Sequence, residues 1–151
     1  MLRMIALLLV LMLVFSLSSC FADPVISALP DHQKKEHYES EGFQDWTGYA
    51  KYYYEGVTAE TLEKTGLFQE MTQGDISELL VFLNDYEAWV KTVGGEVQAN
   101  YDFHREMFIP GNFYYIETQY AREDPVESLW CYDIYYFDLD AQILYYFHNN
   151  I

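Results

Sequence analysis

The chain has 151 residues, the size of a single domain, and a large excess of acid: 24 Asp and Glu against 8 Lys and Arg give a formal net charge of −16 at pH 7. A surface this acidic repels phosphate backbones and anionic lipid headgroups. The composition therefore excludes nucleic-acid binding and favours partners that carry positive charge.

The N-terminal segment is typical of an export signal. Arg3 is followed by an uninterrupted apolar run over residues 4–15, and small residues then lead to Cys20. An apolar run of this length is too short to span a bilayer, whereas a basic start, an apolar centre and a small-residue end are the three parts of a secretory signal peptide. The sequence therefore predicts an exported protein.

The end of this signal, Leu17-Ser18-Ser19-Cys20, resembles the lipobox of bacterial lipoproteins. The resemblance covers residues 1–20 alone, and the alternative is an ordinary secretory signal with a cysteine near its cleavage site. It implies cleavage between Ser19 and Cys20, removal of residues 1–19 and acylation of Cys20. Two or more acyl chains anchor a protein stably. The expected location is the cell membrane or outer envelope, on the extracytoplasmic side, with the lipid bilayer as a partner through Cys20.

The mature chain is predicted to consist of a spacer and one domain. Residues 20–42 begin at the lipidated Cys20 and lack a sustained apolar period, which predicts a flexible tether. The composition changes at Phe43, so residues 43–151 are expected to form a single domain. With Cys20 lipidated, Cys131 has no partner for an intramolecular disulfide, and its aromatic neighbours predict a buried, inert thiol.

The first half of the domain is predicted to be helical. Apolar residues recur at three- and four-residue steps over residues 76–93, with Asp75 as a candidate N-cap and two glycines as a stop. Two shorter helices are expected at residues 45–56 and 59–65. The tyrosines at residues 52–54 suit a strand as well, so the first of these two remains open.

Strand patterns follow the helices. Residues 106–109 and 113–118, joined by a Pro-Gly turn, predict one hairpin. Residues 130–137 and 143–148, joined by a turn at residues 138–142, predict a second. Two or three helices followed by about four antiparallel strands indicate an α+β fold, with the long helix across one face of the sheet.

Aromatic residues are the other compositional extreme, since Tyr, Phe and Trp together make up 19% of the chain. Bulky side chains fall on both faces of the C-terminal strands, so neither face is expected to be simply polar. Two roles are open: core packing, which suits aromatic residues in strands, or a stacking platform for sugar rings, peptides or choline-like cations. The candidate ligand contacts on such a platform are Trp130, Tyr132, Tyr136 and Tyr145.

Catalytic and metal motifs do not emerge from the sequence. His32 and His37 lie about 140° apart around a helix and do not suit a shared metal. Residues 138–142 have the oxygen spacing of a calcium loop, but Ile143 and Asn149 stand where glycine and glutamate are needed. No nucleophile elbow, phosphate loop or dinucleotide fingerprint occurs. No cofactor, metal or catalytic residue is predicted.

The expected function is binding without catalysis. The sequence predicts a protein-interaction module at the cell envelope whose partner is an envelope or extracellular protein or a glycan. One alternative is a binding protein for carbohydrate, wall fragments or peptides that uses the aromatic residues. Another is a small hydrolase, which would need His104 or His148 to converge with carboxylates in a pocket.

Overall fold

A six-stranded antiparallel sheet is the centre of the structure, a computed structural model that describes residues 23–40, 46–119 and 129–150. Helices pack on the sheet, so the predicted α+β class is confirmed, with more strands than expected. In chain order, the elements in the described ranges are α1 (Pro24–Ser27), β1 (Lys34–Glu39), β2 (Trp46–Tyr53), α2 (Ala59–Lys64), β3 (Gln69–Glu70), α3 (Asp75–Val93), α4 (Gly95–Asn100), a 3-10 helix (Arg105–Met107), β4 (Phe113–Thr118), β5 (Cys131–Asp138) and β6 (Ile143–Asn150).

The last two strands of the chain form the middle of the sheet, whose strand order is β1-β2-β6-β5-β4-β3. β5 and β6 make the predicted C-terminal hairpin, with Asp138 opposite Ile143. The Asp138 carboxylate accepts hydrogen bonds from the backbone N–H groups of Asp140 and Ala141, and Gln142 has a φ of 56° that closes the turn. The hairpin register decides which side chains meet on each face of the sheet.

The long helix α3 covers one face of the sheet, as the sequence predicts. Its apolar stripe is buried against the strands and includes Leu79, Phe82, Leu83, Tyr86 and Val90. The Tyr86 hydroxyl donates to the Gly48 carbonyl at 2.7 Å, which satisfies a buried polar group and ties α3 to β2. This face forms the larger of two hydrophobic cores.

Among the described residues, the opposite face is only half covered. At one end of the strands, Val25 of α1, Leu29 just after it and Leu62 of α2 pack with Phe137 and Leu144 in a second core. Aromatic residues therefore pack on both faces, as the sequence predicts. At the other end of the strands, the same face carries polar side chains and opens into a groove.

Residues 23–40 belong to the domain, which corrects the tether predicted for residues 20–42 and the domain boundary at Phe43. β1 pairs with β2 along its whole length, and Val25 in α1 is 2% exposed. The sequence conceals this because β1 is an edge strand with mostly exposed side chains, so it has no apolar alternation. Residues 20–22 and 41–42 lie outside the described residues.

Two further local predictions are wrong and one is confirmed. Strand β2 lies where the sequence suggests a helix at residues 45–56, which is the alternative that its tyrosines favoured. Residues 106–109 form no strand, and β4 pairs instead with the two-residue β3. The helix expected at residues 59–65 is α2, and the Thr58 side chain caps it.

Within the described ranges, no helix is both long and apolar enough to cross a bilayer. The signal segment, with Ser19 and Cys20, lies outside those ranges. The lipid anchor therefore stays a prediction.

Candidate functional site

A groove of about 580 Å³ lies over the uncovered half of the second sheet face. It crosses the ends of β4, β5 and β6 and reaches the start of α1. The side chains that line it include Asp23, Glu117, Asp133, Tyr135, Tyr146 and His148. We call this depression the groove.

The strand register places three titratable side chains of the groove in one row. Asp133 in β5 lies opposite His148 in β6 on one side and opposite Glu117 in β4 on the other. Carboxylates directly opposite each other on neighbouring strands repel, and such pairs destabilise a sheet. The row is therefore an electrostatically unfavourable arrangement that the folded chain retains.

Asp133 fixes the His148 imidazole. The imidazole Nδ1 lies 2.8 Å from Asp133 Oδ1, and the Tyr146 hydroxyl donates to the same oxygen at 2.6 Å. In a neutral imidazole, this contact puts the proton on Nδ1 and leaves Nε2 as a hydrogen-bond acceptor. Nε2 is buried and has no hydrogen-bond partner among the described residues. A neutral His148 thus has a buried acceptor without a donor in the part of the chain that the structure describes.

The Trp46 indole lies against the His148 ring. The ring centroids are 3.7 Å apart and the planes differ by 26°. Gly48, which lies opposite His148 in β2, leaves room for this stack, because a Cβ at Gly48 would be 2.5 Å from a carbon of the Trp46 ring. His148 is 9% exposed. Its ring is therefore held in one orientation by Trp46 and Asp133.

Asp23 joins α1 to the sheet at the edge of the groove. One carboxylate oxygen accepts hydrogen bonds from the N–H groups of Val25 and Ile26, at 2.8 and 3.1 Å, which caps the helix. The other oxygen accepts from the Tyr135 hydroxyl at 2.9 Å. The position of Asp23 is consequently fixed relative to β5.

The groove carries negative charge that no described Lys or Arg side chain offsets. Three carboxylates line it, and Lys and Arg are absent from its lining among the described residues. Burial, reinforced by the Asp133 carboxylate, raises the pKa of Tyr135 and of Tyr146 well above the ordinary tyrosine range. Both hydroxyls therefore remain neutral donors and add no positive charge.

The same groups give only weak support to catalysis or metal binding. A His–Asp pair can activate a nucleophile, and Cys131 lines the groove two residues before Asp133. The thiol is buried, as the sequence predicts, and burial with the nearby Asp133 and Glu117 carboxylates raises its pKa, whereas a nucleophilic cysteine needs a lowered pKa. In the part of the chain that the structure describes, no three His, Cys, Asp or Glu side chains are grouped to hold a metal.

Three of the four aromatic residues predicted as ligand contacts lie in the core, which corrects that prediction. Tyr132, Tyr136 and Tyr145 are 1%, 0% and 5% exposed, on the face that α3 covers. The Phe103 ring packs against two of them, Tyr136 and Tyr145. They are packing residues because alternation along β5 and β6 turns them away from solvent. Of the four, Tyr132 is among the residues that line the groove, although it is buried, whereas Trp130 is 44% exposed and does not line it.

The other histidines considered from the sequence do not join the groove. His104 lines a separate depression with Glu87 and Tyr101. His37 lies 3.2 Å from Glu39 on the edge strand β1. His104 and His148 therefore do not form a shared site.

Sequence reasoning missed the contributions of Asp23, Trp46, Asp133 and Tyr146 to this site. The nearest signal was the predicted hairpin, but only the observed register, in which Asp138 lies opposite Ile143, puts Asp133 beside His148. Asp23 and Trp46 gave no such signal because they lie on segments assigned to a tether and to a helix.

Comparison with known proteins identifies no relative: no family model, curated protein or solved structure matches the chain. The function is therefore argued from the groove.

Proposed function

We propose that this protein is a lipid-anchored, extracytoplasmic binding module without catalytic activity, and that the groove is its ligand site. The observation that carries the proposal is the excess of carboxylates over Lys and Arg among the described residues that line the groove. Glu117 and Asp133 lie opposite each other on neighbouring strands, Asp23 stands at the edge, and no described Lys or Arg lines the surface.

An unfavourable arrangement of this kind supports a binding role. Repulsion between the Glu117 and Asp133 carboxylates weakens the fold, and a ligand that brings positive charge or hydrogen-bond donors would relieve it. The groove is also preformed, because Asp23 is held by α1 and Tyr135, and Asp133 is held by Tyr146 and His148. A preformed site loses little conformational entropy when it binds.

The two alternatives have less support. An aromatic platform would need exposed rings, and three of the four candidate aromatics are buried. A hydrolase is favoured only by the His148–Asp133 pair, and both the imidazole Nε2 and the Cys131 thiol are buried. Binding at the Glu117 and Asp133 carboxylates uses the groove as it stands, whereas catalysis by His148 or Cys131 would require it to open.

The anchor is tested by replacing each cysteine in turn. Cys20→Ser is expected to abolish the lipid mass and to release the protein from the membrane fraction, because the thiol is the attachment point. Cys131→Ser is the matched control and should stay membrane-bound, since this cysteine is buried in the domain. Equal membrane retention of the two variants, with unchanged lipid mass, would rule out the anchor.

The ligand site is tested by thermal denaturation of the mature chain, residues 20–151, carrying Cys20→Ser. The ligands are basic and neutral peptides and wall oligosaccharides. A ligand at 100 times its Kd adds about 2.7 kcal/mol, which raises the Tm of a chain this size by several degrees. Glu117→Gln should reduce the rise, and Glu96→Gln, an exposed acid on α4, should not. If no ligand of any class raises the Tm, the binding role is refuted.

A further inference from the structure

The groove lies close in the chain to the predicted lipid anchor. Asp23, at its edge, is fixed to the sheet through Tyr135, and Val25 just beyond it is buried in the second core. Only three residue steps separate Asp23 from Cys20, and a fully extended chain covers at most about 11 Å in three steps. With Cys20 acylated, one edge of the groove therefore cannot move more than about 11 Å from the attachment point.

This distance keeps the edge of the groove near the polar layer of the membrane. The headgroup layer of one leaflet is about 5–7 Å thick, since a bilayer of about 40–45 Å has a hydrocarbon core of about 30 Å. A flexible tether of 23 residues would have allowed the domain to stand far from the bilayer, but residues 23–40, with α1 and β1, are packed or paired in the domain. The groove is consequently placed to meet ligands at the membrane surface.

The chemistry of the groove selects a cation with N–H donors. The Glu117 and Asp133 carboxylates attract positive charge, and no described Lys or Arg competes for them. His148 supplies an independent indication, because its side chain lines the same groove and its buried Nε2 has no hydrogen-bond partner among the described residues. Guanidinium and ammonium groups provide both the charge and the donors. Lipid phosphates would be repelled.

We propose that the groove binds a basic, extended segment of a membrane protein at the bilayer surface. The proposal rests on the proposed function, namely the lipid anchor and the binding role of the groove. An extended segment is the form that fits, because the groove runs across the ends of three strands on an open sheet face. Arginine suits this site best, since its planar group can bridge two carboxylate oxygens.

The charge requirement is tested with two blocked peptides, acetyl-(Gly-Arg)3-amide and acetyl-(Gly-Gln)3-amide, by titration calorimetry on the mature chain with Cys20→Ser. The arginine peptide should bind and the glutamine peptide should not. Glu117→Gln should weaken binding about three- to fivefold, the range of one exposed charge pair, and Glu96→Gln should leave the Kd unchanged. Equal weakening by both variants would mean attraction by net charge alone and would overturn the groove as the site.

The placement is tested with the full lipidated chain in phosphatidylcholine nanodiscs that contain headgroup spin-labelled lipid. The amide resonances of Thr118 and Asn150, at the groove, should broaden more than those of Asp140 and Ala141, in the turn at the far end of the strands. β5 alone separates the two ends by about 23 Å. Equal broadening, or stronger broadening at the turn, would overturn the membrane-surface placement.

The outcomes separate this inference from the proposed function. If a neutral peptide or an oligosaccharide binds in the groove while the arginine peptide does not, the cationic ligand is wrong and the binding role stands. If phosphatidylethanolamine nanodiscs compete with the arginine peptide and phosphatidylcholine nanodiscs do not, a lipid ammonium is the ligand and the protein segment is wrong. If nothing binds, the proposed function fails as well.

Discussion

Two groups of carboxylates lie on opposite faces of the same sheet and differ in how their charge is balanced. On the α3 face, Lys51 lies between Glu36 and Asp102, with N–O distances of 3.1 and 2.7 Å. In the groove, Asp133 and Glu117 lie opposite each other, and no cationic side chain stands between them among the described residues. We call the first group the Lys51 cluster.

The difference separates a structural cluster from a binding surface. In the Lys51 cluster, the Tyr49 hydroxyl donates to Asp102 at 2.6 Å and the Tyr53 hydroxyl to Glu36 at 2.9 Å, so cation and donors complete the site internally. The groove has tyrosine donors of the same kind, but no Lys or Arg lines it in the part of the chain that the structure describes. A cluster that contains its own counter-charge stabilises the fold, and one that lacks it can receive the charge from a partner.

High pH should disrupt the Lys51 cluster and the groove together, and it should cause the largest loss of stability that we expect. Burial raises the pKa of 13 of the 15 tyrosines, among them Tyr49 and Tyr146, which donate to the two groups. A tyrosine with a raised folded pKa stabilises the fold below its unfolded pKa of about 10, and this stability is lost as the pH rises through the folded pKa. The loss is about 1.4 kcal/mol per pH unit for each such group.

The chain should therefore unfold cooperatively between about pH 10 and about pH 12. Tyrosinate absorbance and the loss of sheet circular dichroism should change together, because the buried hydroxyls ionise only when the chain opens. Titration of most tyrosines near pH 10 with the sheet intact would contradict this expectation.

The second largest effect is expected for Lys51→Met, which removes the cation that the Lys51 cluster has and the groove does not show among the described residues. The Lys51 side chain is 11% exposed, and its removal leaves Asp102 without a cationic partner among the described residues and Glu36 with Lys34 alone. Loss of one partner from a fully buried pair destabilises by 3–5 kcal/mol, and partial exposure of the two acids reduces the expected loss to about 2 kcal/mol. Urea denaturation measures this loss of stability.

The control is Lys64→Met, which removes an exposed ion pair with Glu60 and should change stability by less than about 0.5 kcal/mol. An equal effect of Lys51→Met and Lys64→Met would refute the structural role of the Lys51 cluster.

Acid should weaken the Lys51 cluster through Glu36. Hydrogen bonds from Lys34, Tyr53 and Lys51 lower the pKa of Glu36 from 4.5 to about 2. A lowered folded pKa means that the stabilisation is complete above the unfolded value of 4.5 and is lost as the pH falls toward about 2. The urea midpoints of the native chain and of Glu36→Gln should thus differ at neutral pH and converge as the pH falls through this window. Parallel curves would contradict the assignment.

The comparison also explains how far the sequence predicts the fold. Helix α3 has strong apolar periodicity, and the C-terminal hairpin has two strands rich in aromatic residues on either side of a turn, so both could be predicted. Strand β1 and helix α1 lacked such a signal. Lys34 and Lys35 open an edge strand that is stabilised by backbone pairing, and α1 is four residues long, so burial of Val25 and Leu29 does not produce a recognisable pattern.

The prediction of the site depends on a one-residue difference in the pairing register of β5 and β6. A five-residue turn at residues 138–142, as predicted, pairs Phe137 with Ile143 and puts His148 opposite Tyr132. The structure pairs Asp138 with Ile143 instead, and His148 moves opposite Asp133. Because side chains alternate between faces, this single step decides whether the histidine meets an acid. The turn chemistry at Asp138 was visible in the sequence, but its loop length was not.

The smallest change that we expect in the free energy of unfolding is the one whose sign best distinguishes the groove from the Lys51 cluster. Glu117 is exposed and lies opposite Asp133, so Glu117→Gln should leave the free energy of unfolding unchanged or raise it by about 0.5 kcal/mol as the repulsion is relieved. Glu36→Gln should lower it, because Glu36 has lysine partners. Urea denaturation of the two variants at neutral pH makes the comparison at equal change in charge. A loss of stability in Glu117→Gln as large as that in Glu36→Gln would mean that Glu117 has a structural role. The negative charge of the groove would then serve the fold, as it does in the Lys51 cluster, and would no longer indicate a ligand.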